Sequence, residues 1–373
     1  MAKTTITTSD ALRKQAWEEE LWRDTVVNSY FMSKFASSDT NNFVAGQGWR
    51  GNIYDGAPNG LLHVKADLGT KGRTKTKEGD KINFGLVPRL DPKTNQGVTS
   101  GQTLKGREIA LSWYSDSVTL ERYRQAVSGG SPMDWTRASF NMPMEARNAL
   151  QTWGTEKMDL LCFQELENGP TEIFYKTSDT GPTVSKTATL ATAKTALTAA
   201  DSKITPEYLD FLKTWAKTGG ARTGGKVPLR PLMVDGKPYY VFLTHPDAEF
   251  DWRNDSTAMQ AYREAEIRGK ENPIFAGASY VWNGLIIHTH EFVTTGTDGG
   301  GASVPWCYGH VLGAQSLVVG FGERPSVVED TEDYEEDLFY AWRVTMKVRA
   351  PQFNSKRYGS ISTLISRTNI SGT

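Results

Sequence analysis

The chain lacks most of what enzymes and exported proteins are built on. It has only two cysteines, Cys162 and Cys307, far apart and without metal-ligand spacing. They are expected to be reduced thiols, the usual state in a reducing compartment. No run approaches the ~20 apolar residues of a membrane span. The start, MAKTTITTSDALRKQAWEEE, has no hydrophobic core of a signal peptide. The expectation is a soluble, unexported protein with no membrane partner. Net charge is almost absent too, at −1 from 42 basic and 43 acidic residues. That argues against a protein that coats nucleic acid through an overall basic footprint.

Catalytic motifs are equally scarce. The best candidate is His288-Thr289-His290-Glu291. In a strand, His288 and His290 share a face and could both meet a zinc ion. Zinc takes three or four ligands, and nothing in the sequence brings in His63, His245 or His310. The pattern is not HExxH. Gly299 to Gly301 has no following Lys-Ser/Thr for a phosphate loop, GFGERP lacks dinucleotide spacing, and there is no G-x-S-x-G elbow. Asp247, Asp251 and Asp255 recur every four residues without EF-hand glycine and glutamate, so a solvated turn and helix caps are expected there. GTKGRTKTK has lysines but no aromatics for base stacking. No catalytic residue, metal or cofactor is assigned, and a metal-dependent hydrolase using His288 and His290 is the enzyme alternative.

What the chain does have is aromatic surface and sorted charge. Its 11 Trp, 14 Tyr and 15 Phe suit buried surfaces and interfaces, and its 35 Gly imply many turns. The stretch Lys65 to Lys93 is basic and glycine-punctuated, with Lys71, Arg73, Lys75, Lys77 and Lys81. EDTEDYEED, with Glu329, Asp330, Glu332, Asp333, Glu335, Glu336 and Asp337, contains no base. Residues 338–373 then carry Arg343, Lys347, Arg349, Lys356, Arg357 and Arg367 and no acid. Charge sorted this way orients one copy against another.

The length, 373 residues, allows one large or two medium domains. Ser9 or Asp10 caps an arm helix from about Ala11, with Trp17, Leu21, Trp22 and Val26 on its apolar side and Glu18 to Glu20 outward. HVKADL and KINFGLVPRL alternate around GTKGRTKTKEGD and read as a long projecting β-hairpin, whose edges need covering. ALSWYSDSVTLERYRQAV reads as strand, then helix. Pro143 opens a long helix that stops near Asn168-Gly169-Pro170. Thr183 to Ala200 is a weak helix, and Thr205-Pro206 opens a clear one. LRPLMVDGKPYYVFLT holds a hairpin across Asp235-Gly236, and Tyr239 to Leu243 suits a central strand. AMQAYREAEIRG reads as a helix, GLIIHTH as a buried strand, Leu312 to Phe321 as helix or strand, and FYAWRVTMKVRA as a strand. The order is mixed α and β, without the regular alternation of a Rossmann or barrel enzyme.

PYYVFLTHPDAEFDWRND, AYREAEIRGKENPIFAGASYVWNGLIIHTHE and YGHVLGAQSLVVGFG, preceded by GDKINFGLVPRL and GVTSGQTLKGREIALSWYSDSVTL, together resemble the major capsid proteins of tailed bacteriophages, podovirus type. The resemblance covers about Lys65 to Phe321. His245, Pro246, Arg268, Gly269, Asn272, Pro273, Phe275, Gly277 and Gly284 match the family pattern as structural positions. It implies an α+β, HK97-like fold: an N-terminal arm over 1–62, an extended loop over 63–102, a peripheral domain over 103–205 with a spine helix at about 143–168, an axial domain with returning peripheral elements over 206–325, and an acidic segment, strand and tail over 326–373. The implied role is self-assembly, through hexamers and pentamers, into an icosahedral head shell around double-stranded DNA touched non-specifically. A portal protein is an implied partner, and scaffold and decoration proteins are allowed. The implied location is the virion, after assembly in the host bacterial cytoplasm. A non-viral encapsulating shell of the same fold is the nearer alternative. The charged residues from Lys71 to Lys81 and from Glu329 to Asp337 are the candidate contacts between copies.

Overall fold

The computed structural model describes residues 28–34, 62–66, 81–86, 97–108, 114–139, 141–177, 184–218, 228–234, 237–255, 280–300, 303–332, 337–353 and 355–370. In chain order the elements are α1 (Tyr30–Lys34), β1 (Leu62–Ala66), β2 (Lys81–Leu86), β3 (Tyr114–Thr119), β4 (Glu121–Gly130), α2 (Pro132–Arg137), α3 (Met142–Glu167), β5 (Ile173–Lys176), β6 (Val184–Thr187), α4 (Leu190–Thr195), α5 (Pro206–Thr218), β7 (Leu232–Val234), β8 (Lys237–Thr244), α6 (Pro246–Asn254), β9 (Tyr280–Trp282), β10 (Leu285–Thr289), β11 (Thr295–Gly299), β12 (Val304–Leu312), β13 (Leu317–Glu332), β14 (Asp337–Arg349), β15 (Gln352–Phe353), β16 (Lys356–Arg357) and β17 (Ser360–Ser366).

The 26-residue α3 is the strut of the molecule. Asn141 starts it, its side chain accepting from the Met144 N–H at 3.3 Å, with Pro143 in the first turn. At the far end Gly169 has φ +64°, a conformation that glycine adopts without a Cβ clash. At 1.5 Å per residue the rod is about 39 Å long. Its apolar side, including Ala146, Leu150, Met158, Cys162, Phe163 and Leu166, is buried.

Two sheets meet this helix. The first has the order β1-β13-β14-β4. β13 and β14 form a long antiparallel ribbon, paired from Val318↔Arg349 to Glu332↔Asp337. Along β14 the alternation is strict: Tyr340, Trp342, Val344, Met346 and Val348 are buried, while the residues between them stay partly exposed. The buried row joins α3 in one core. Trp342 is fully buried and lies over Gly154, where an added Cβ would come within 2.7 Å of the indole.

The second sheet has nine strands, ordered β6-β5-β17-β12-β8-β10-β9, with β11 on β12 and β7 on β8. It is covered on both faces. Val241, Leu243, Ile286, Tyr308 and Leu364 face the α3 core. Tyr240, Phe242, Leu285, Ile287, Val311 and Ile365 form a second core with Leu209 and Leu212 of α5 and Trp252 of α6. It takes β5 and β6 from the 103–205 segment and β17 from the 326–373 segment.

Most expected elements are present, including α3, α5, the β7–β8 hairpin with Val234↔Lys237, β8, β10 and β14. Three readings need correction. β1 and β2 are strands but not partners: β1 runs parallel to β13, and β2 pairs antiparallel with β3. The long ribbon of the described chain is therefore β13–β14. ERYRQAV is strand, not helix, because β4 lies along β14 with Val344↔Tyr123 and Tyr340↔Val127. Pairing with a long neighbour overrides local propensity. The stretch Leu312 to Phe321, left open between helix and strand, is strand at Leu312 and again from Leu317. The weak helix at 183–200 is a strand, β6, followed by the short α4. The arm helix from Ala11 and the helix expected over AMQAYREAEIRG lie outside the described residues.

Replacing Gly154 with Ala sets a helix-propensity gain of about 1 kcal/mol against overpacking of roughly 1–3 kcal/mol. The indole is fully buried and cannot move outward, so the clash wins. Gly154→Ala is expected to lower the denaturant midpoint of the purified chain, by up to about 2 kcal/mol net. An unchanged or raised midpoint would show that Trp342 yields.

Candidate functional site

For a chain without a catalytic motif, the functional features are the surfaces it offers and the joints that hold them in place. The main joint is the second half of α3. Asp159 is buried, and its carboxylate accepts from the Ser29 hydroxyl (2.8 Å) and from the N–H groups of Tyr30 (2.8 Å) and Phe31 (3.1 Å). These are donors at the open end of α1. Burial raises the Asp159 pKa, and the three hydrogen bonds oppose that rise. Glu165 accepts from the Ala350 N–H at 3.3 Å, just beyond β14, and Glu167 accepts from the Thr294 N–H at 2.9 Å, just before β11. Arg357 closes the helix by donating to the carbonyls of Leu166 (2.6 Å), Glu165 (3.1 Å) and Asn168. Its charge sits at the negative end of the helix dipole. Burial lowers its pKa to about 10.

A second joint fixes the last described residues. Arg367 is buried, donates to the Asp247 carboxylate, and reaches the Trp306 carbonyl at 3.3 Å. Asp251 accepts from the Thr368 N–H (2.7 Å) and hydroxyl (2.6 Å) and pairs with Lys203 at 2.8 Å. The expected solvated turn is thus corrected: Asp247 and Asp251, one turn apart on α6, are buried acceptors for the C-terminal segment. His245 caps α6 through Nδ1, which accepts from the Asp247 N–H at 3.2 Å, and burial lowers its pKa. Pro246 is the first residue of that helix. Gly284 (φ +78°) with Asn283 (φ +42°) makes the two-residue turn between β9 and β10, a geometry that Asn-Gly favours.

The charged candidates divide. Lys81 is exposed at the start of β2. Lys71, Arg73, Lys75 and Lys77 lie outside the described residues, as do Asp333, Glu335 and Glu336. Glu329, Asp330 and Glu332 end β13, and Asp337 begins β14. Glu329 is already engaged within the chain: Arg147 of α3 donates to it and to the Tyr340 hydroxyl (3.2 Å), and lies 4.7 Å from that ring. Arg268, Gly269, Asn272, Pro273, Phe275 and Gly277 also lie outside the described residues.

The hydrolase reading is not supported by the histidines' surroundings. His288 is fully buried in β10, and its ring is 6.2 Å from Tyr30. The His290 ring packs 4.6 Å from Tyr30 and 4.9 Å from both Phe163 and Phe292, while its Nδ1 accepts from the Phe292 N–H at 3.1 Å. Burial lowers the His290 pKa. Among the described residues, no group of three or more His, Cys, Asp or Glu is placed to hold a metal. The two cysteines are free and buried, and burial raises both thiol pKa values.

Sequence reasoning missed Asp159, Arg357 and Arg367. One signal was available for Asp159: it falls on the apolar stripe of α3, between Met158 and Cys162, where an acid needs donors. Arg357 and Arg367 meet partners more than a hundred residues away, which no local pattern shows.

Comparison with known proteins matches residues 68–346 to a family model described as phage capsid protein. A major capsid protein of Pseudomonas phage KPP25 is 26% identical over 380 residues, covering 92% of this chain and 90% of that protein. Among solved structures, the capsid of Ralstonia phage GP4 is similar with a TM-score of 0.70 and 22% identity, covering 92% of each chain. The capsid asymmetric unit of cyanophage Pam1 is similar with a TM-score of 0.64 and 18% identity, covering 83% of this chain and 90% of that one.

Asp159→Ala should strip an acceptor from three donors at once, costing about 1–3 kcal/mol, and amides 30 and 31 should lose hydrogen-exchange protection. The pH dependence has a definite sign. The folded pKa of Asp159 is raised above its unfolded value of about 3.9. Its contribution to stability is therefore fully present below that value and is lost as pH rises through the folded pKa. Asp159→Asn is expected to flatten this decline, read as denaturant midpoints across that window. An equal slope in both proteins would contradict the assignment.

Proposed function

The chain belongs to the phage capsid protein family and is a structural, shell-forming protein with the HK97-like fold; from that premise we propose that it is the major capsid protein, whose copies meet through sorted charge and one open sheet face. The proposal extends to hexamers and pentamers of an icosahedral head shell around double-stranded DNA. Its other partners are a portal protein and, where present, scaffold and decoration proteins, and assembly takes place in the host bacterial cytoplasm.

The observation that carries the reading is the outer face of the four-stranded sheet. α3 buries one row of β14, while Phe339, Ala341, Arg343, Thr345, Lys347 and Arg349 stay partly exposed. Arg124 of β4 stands beside Arg343, and Arg122 beside Thr345. Glu323 lies 3.7 Å from both Arg122 and Arg343. A sheet face of mixed charge and apolar character suits contact between copies better than a ligand site. Specific interfaces bury ~1,600 Å², and a closed shell multiplies many modest contacts.

The contact proposed is between Lys71, Arg73, Lys75, Lys77 and Lys81 of one copy and the Glu329 to Asp337 segment of another. Charge complementarity supports it. Because Arg147 engages Glu329, the other acids of the segment carry the contact. In the proposed arrangement 63–102 is the extended loop, α3 the spine helix of a peripheral domain, and the nine-stranded sheet the centre of the axial domain.

Replacing Lys71, Arg73, Lys75 and Lys77 together with Glu is expected to cut shell yield at least about tenfold while circular dichroism stays unchanged. Electron microscopy counts the shells. A normal yield would defeat the charge pairing, and a wild-type chain that never forms shells, with its viral partners present, would defeat the capsid assignment.

A further inference from the structure

The outer face of the four-stranded sheet carries its charge in order. Directly paired residues of an antiparallel sheet share a face, so the register sets out rows across β13, β14 and β4. Asp337 opens the face at the start of β14. Asp330, Phe339 and Ser128 form the next row, Val328, Ala341 and Ala126 the middle one, and Ser326, Arg343 and Arg124 the one after it. Arg122 follows, beside Thr345. Along the strands the order is therefore acid, aliphatic, base. The middle row is open to solvent: Val328 and Ala341 are partly exposed and Ala126 is exposed. The basic end is not balanced within the chain. Arg343 and Arg124 stand directly opposite each other, where like charges repel. Glu323 lies 3.7 Å from both Arg343 and Arg122. Arg124 is exposed and has no ion pair among the described residues, and the same holds for Asp330 and Asp337 at the other end.

We infer that this face is self-complementary: two copies pair through it about a two-fold axis that crosses the middle row, the acidic end of each over the basic end of the other. The inference rests on the reading of this face as a contact between copies, and it names the symmetry of that contact. A two-fold interface uses one patch twice. This patch has an aliphatic centre, with Asp330 about 7 Å to one side and Arg343 and Arg124 about 7 Å to the other. An axis running along the strands would instead lay acid on acid, which costs several kcal/mol. Stacked sheets lie about 10 Å apart, a gap that arginine and aspartate side chains bridge between them. Rows from Asp337 to Thr345 on three strands cover roughly 500 Å² per copy at sheet spacings. The pair buries about 1,000 Å², near the lower limit of specific interfaces. It is therefore weak, and its population rises with concentration.

The test uses the full-length chain in solution, carrying Ala341→Cys on the axis or Thr345→Cys at the basic end. The native thiols are only 4% and 0% exposed and do not compete. A short bis-maleimide is expected to join Ala341→Cys chains to each other at least about tenfold more than Thr345→Cys chains, because only a residue on the axis meets itself. Equal linking of the two, or no linking at concentrations where shells form, would overturn the inference and leave the capsid assignment standing. Charge gives a readout that needs no new thiol. Arg124→Glu/Arg343→Glu is expected to weaken dimers at least about tenfold in sedimentation, and Asp330→Lys/Asp337→Lys in the same chain to restore them. Absence of restoration overturns the pairing. Replacing Lys71, Arg73, Lys75 and Lys77 with Glu is expected to leave the Ala341→Cys link unchanged; its loss would assign the acids to that basic segment and overturn the face-to-face pair. A wild-type chain that never forms shells, with its viral partners present, would instead count against the capsid assignment.

Discussion

The carboxyl end of α3 holds the architecture together. A helix end leaves four carbonyls without helical partners, and here Arg357 takes three carbonyls of that end and adjoining turn. The same turns carry Glu165 and Glu167, which reach the end of β14 and the approach to β11. Those strands belong to different sheets. One helix end therefore orients the four-stranded sheet against the nine-stranded one. Asp159, two turns earlier, ties in α1.

That arrangement gives the chain two well-packed cores and still leaves one sheet face partly exposed. The nine-stranded sheet is covered on both faces and has two cores. The four-stranded sheet is packed by α3 on one face, and the alternation of β14 leaves the other row in reach of solvent. The chain stabilises itself around the helix and leaves the other row of β14 partly exposed. For a shell subunit, this largely separates folding from assembly: the apolar row of β14 holds the monomer, and the other row is the one proposed to meet the neighbour. The division is not complete: Arg147 holds Glu329 within the chain, and Lys347 and Arg349 of the outer row pair with Glu121 and Asp116, so charge alone does not identify a free contact.

Buried charge follows the same division. Arg367 with Asp247, and Asp251 with Lys203 and Thr368, fasten the C-terminal segment to α6. Removing one member of a buried pair leaves an uncompensated charge, a penalty of several kcal/mol, so these contacts specify where Arg367 and Thr368 lie. The histidines that spacing alone offered to a metal are instead part of an aromatic wall with Tyr30 and Phe163. Two imidazoles two residues apart satisfy a strand's geometry equally well whether they face an ion or a ring, and only the packing distinguishes the cases.

What could be read without coordinates was local. The long helix with its Asn141 start and Gly169 stop, the helix opened by Pro206, the Asp235-Gly236 hairpin and the alternation of β14 all follow from interactions within a few residues. The order of recognisable blocks added the family and hence the fold. What needed the tertiary structure was pairing. Nothing local told β1 that its partner is β13, or β2 that its partner is β3, because strand edges are chemically alike and register is chosen by the faces they bury. ERYRQAV has helix-forming residues and becomes strand because β14 offers a ladder along its whole length. The roles of Asp159, Arg357 and Arg367 likewise appear only when residues more than a hundred positions apart are brought together, since a charge inside a protein takes its meaning from the group beside it.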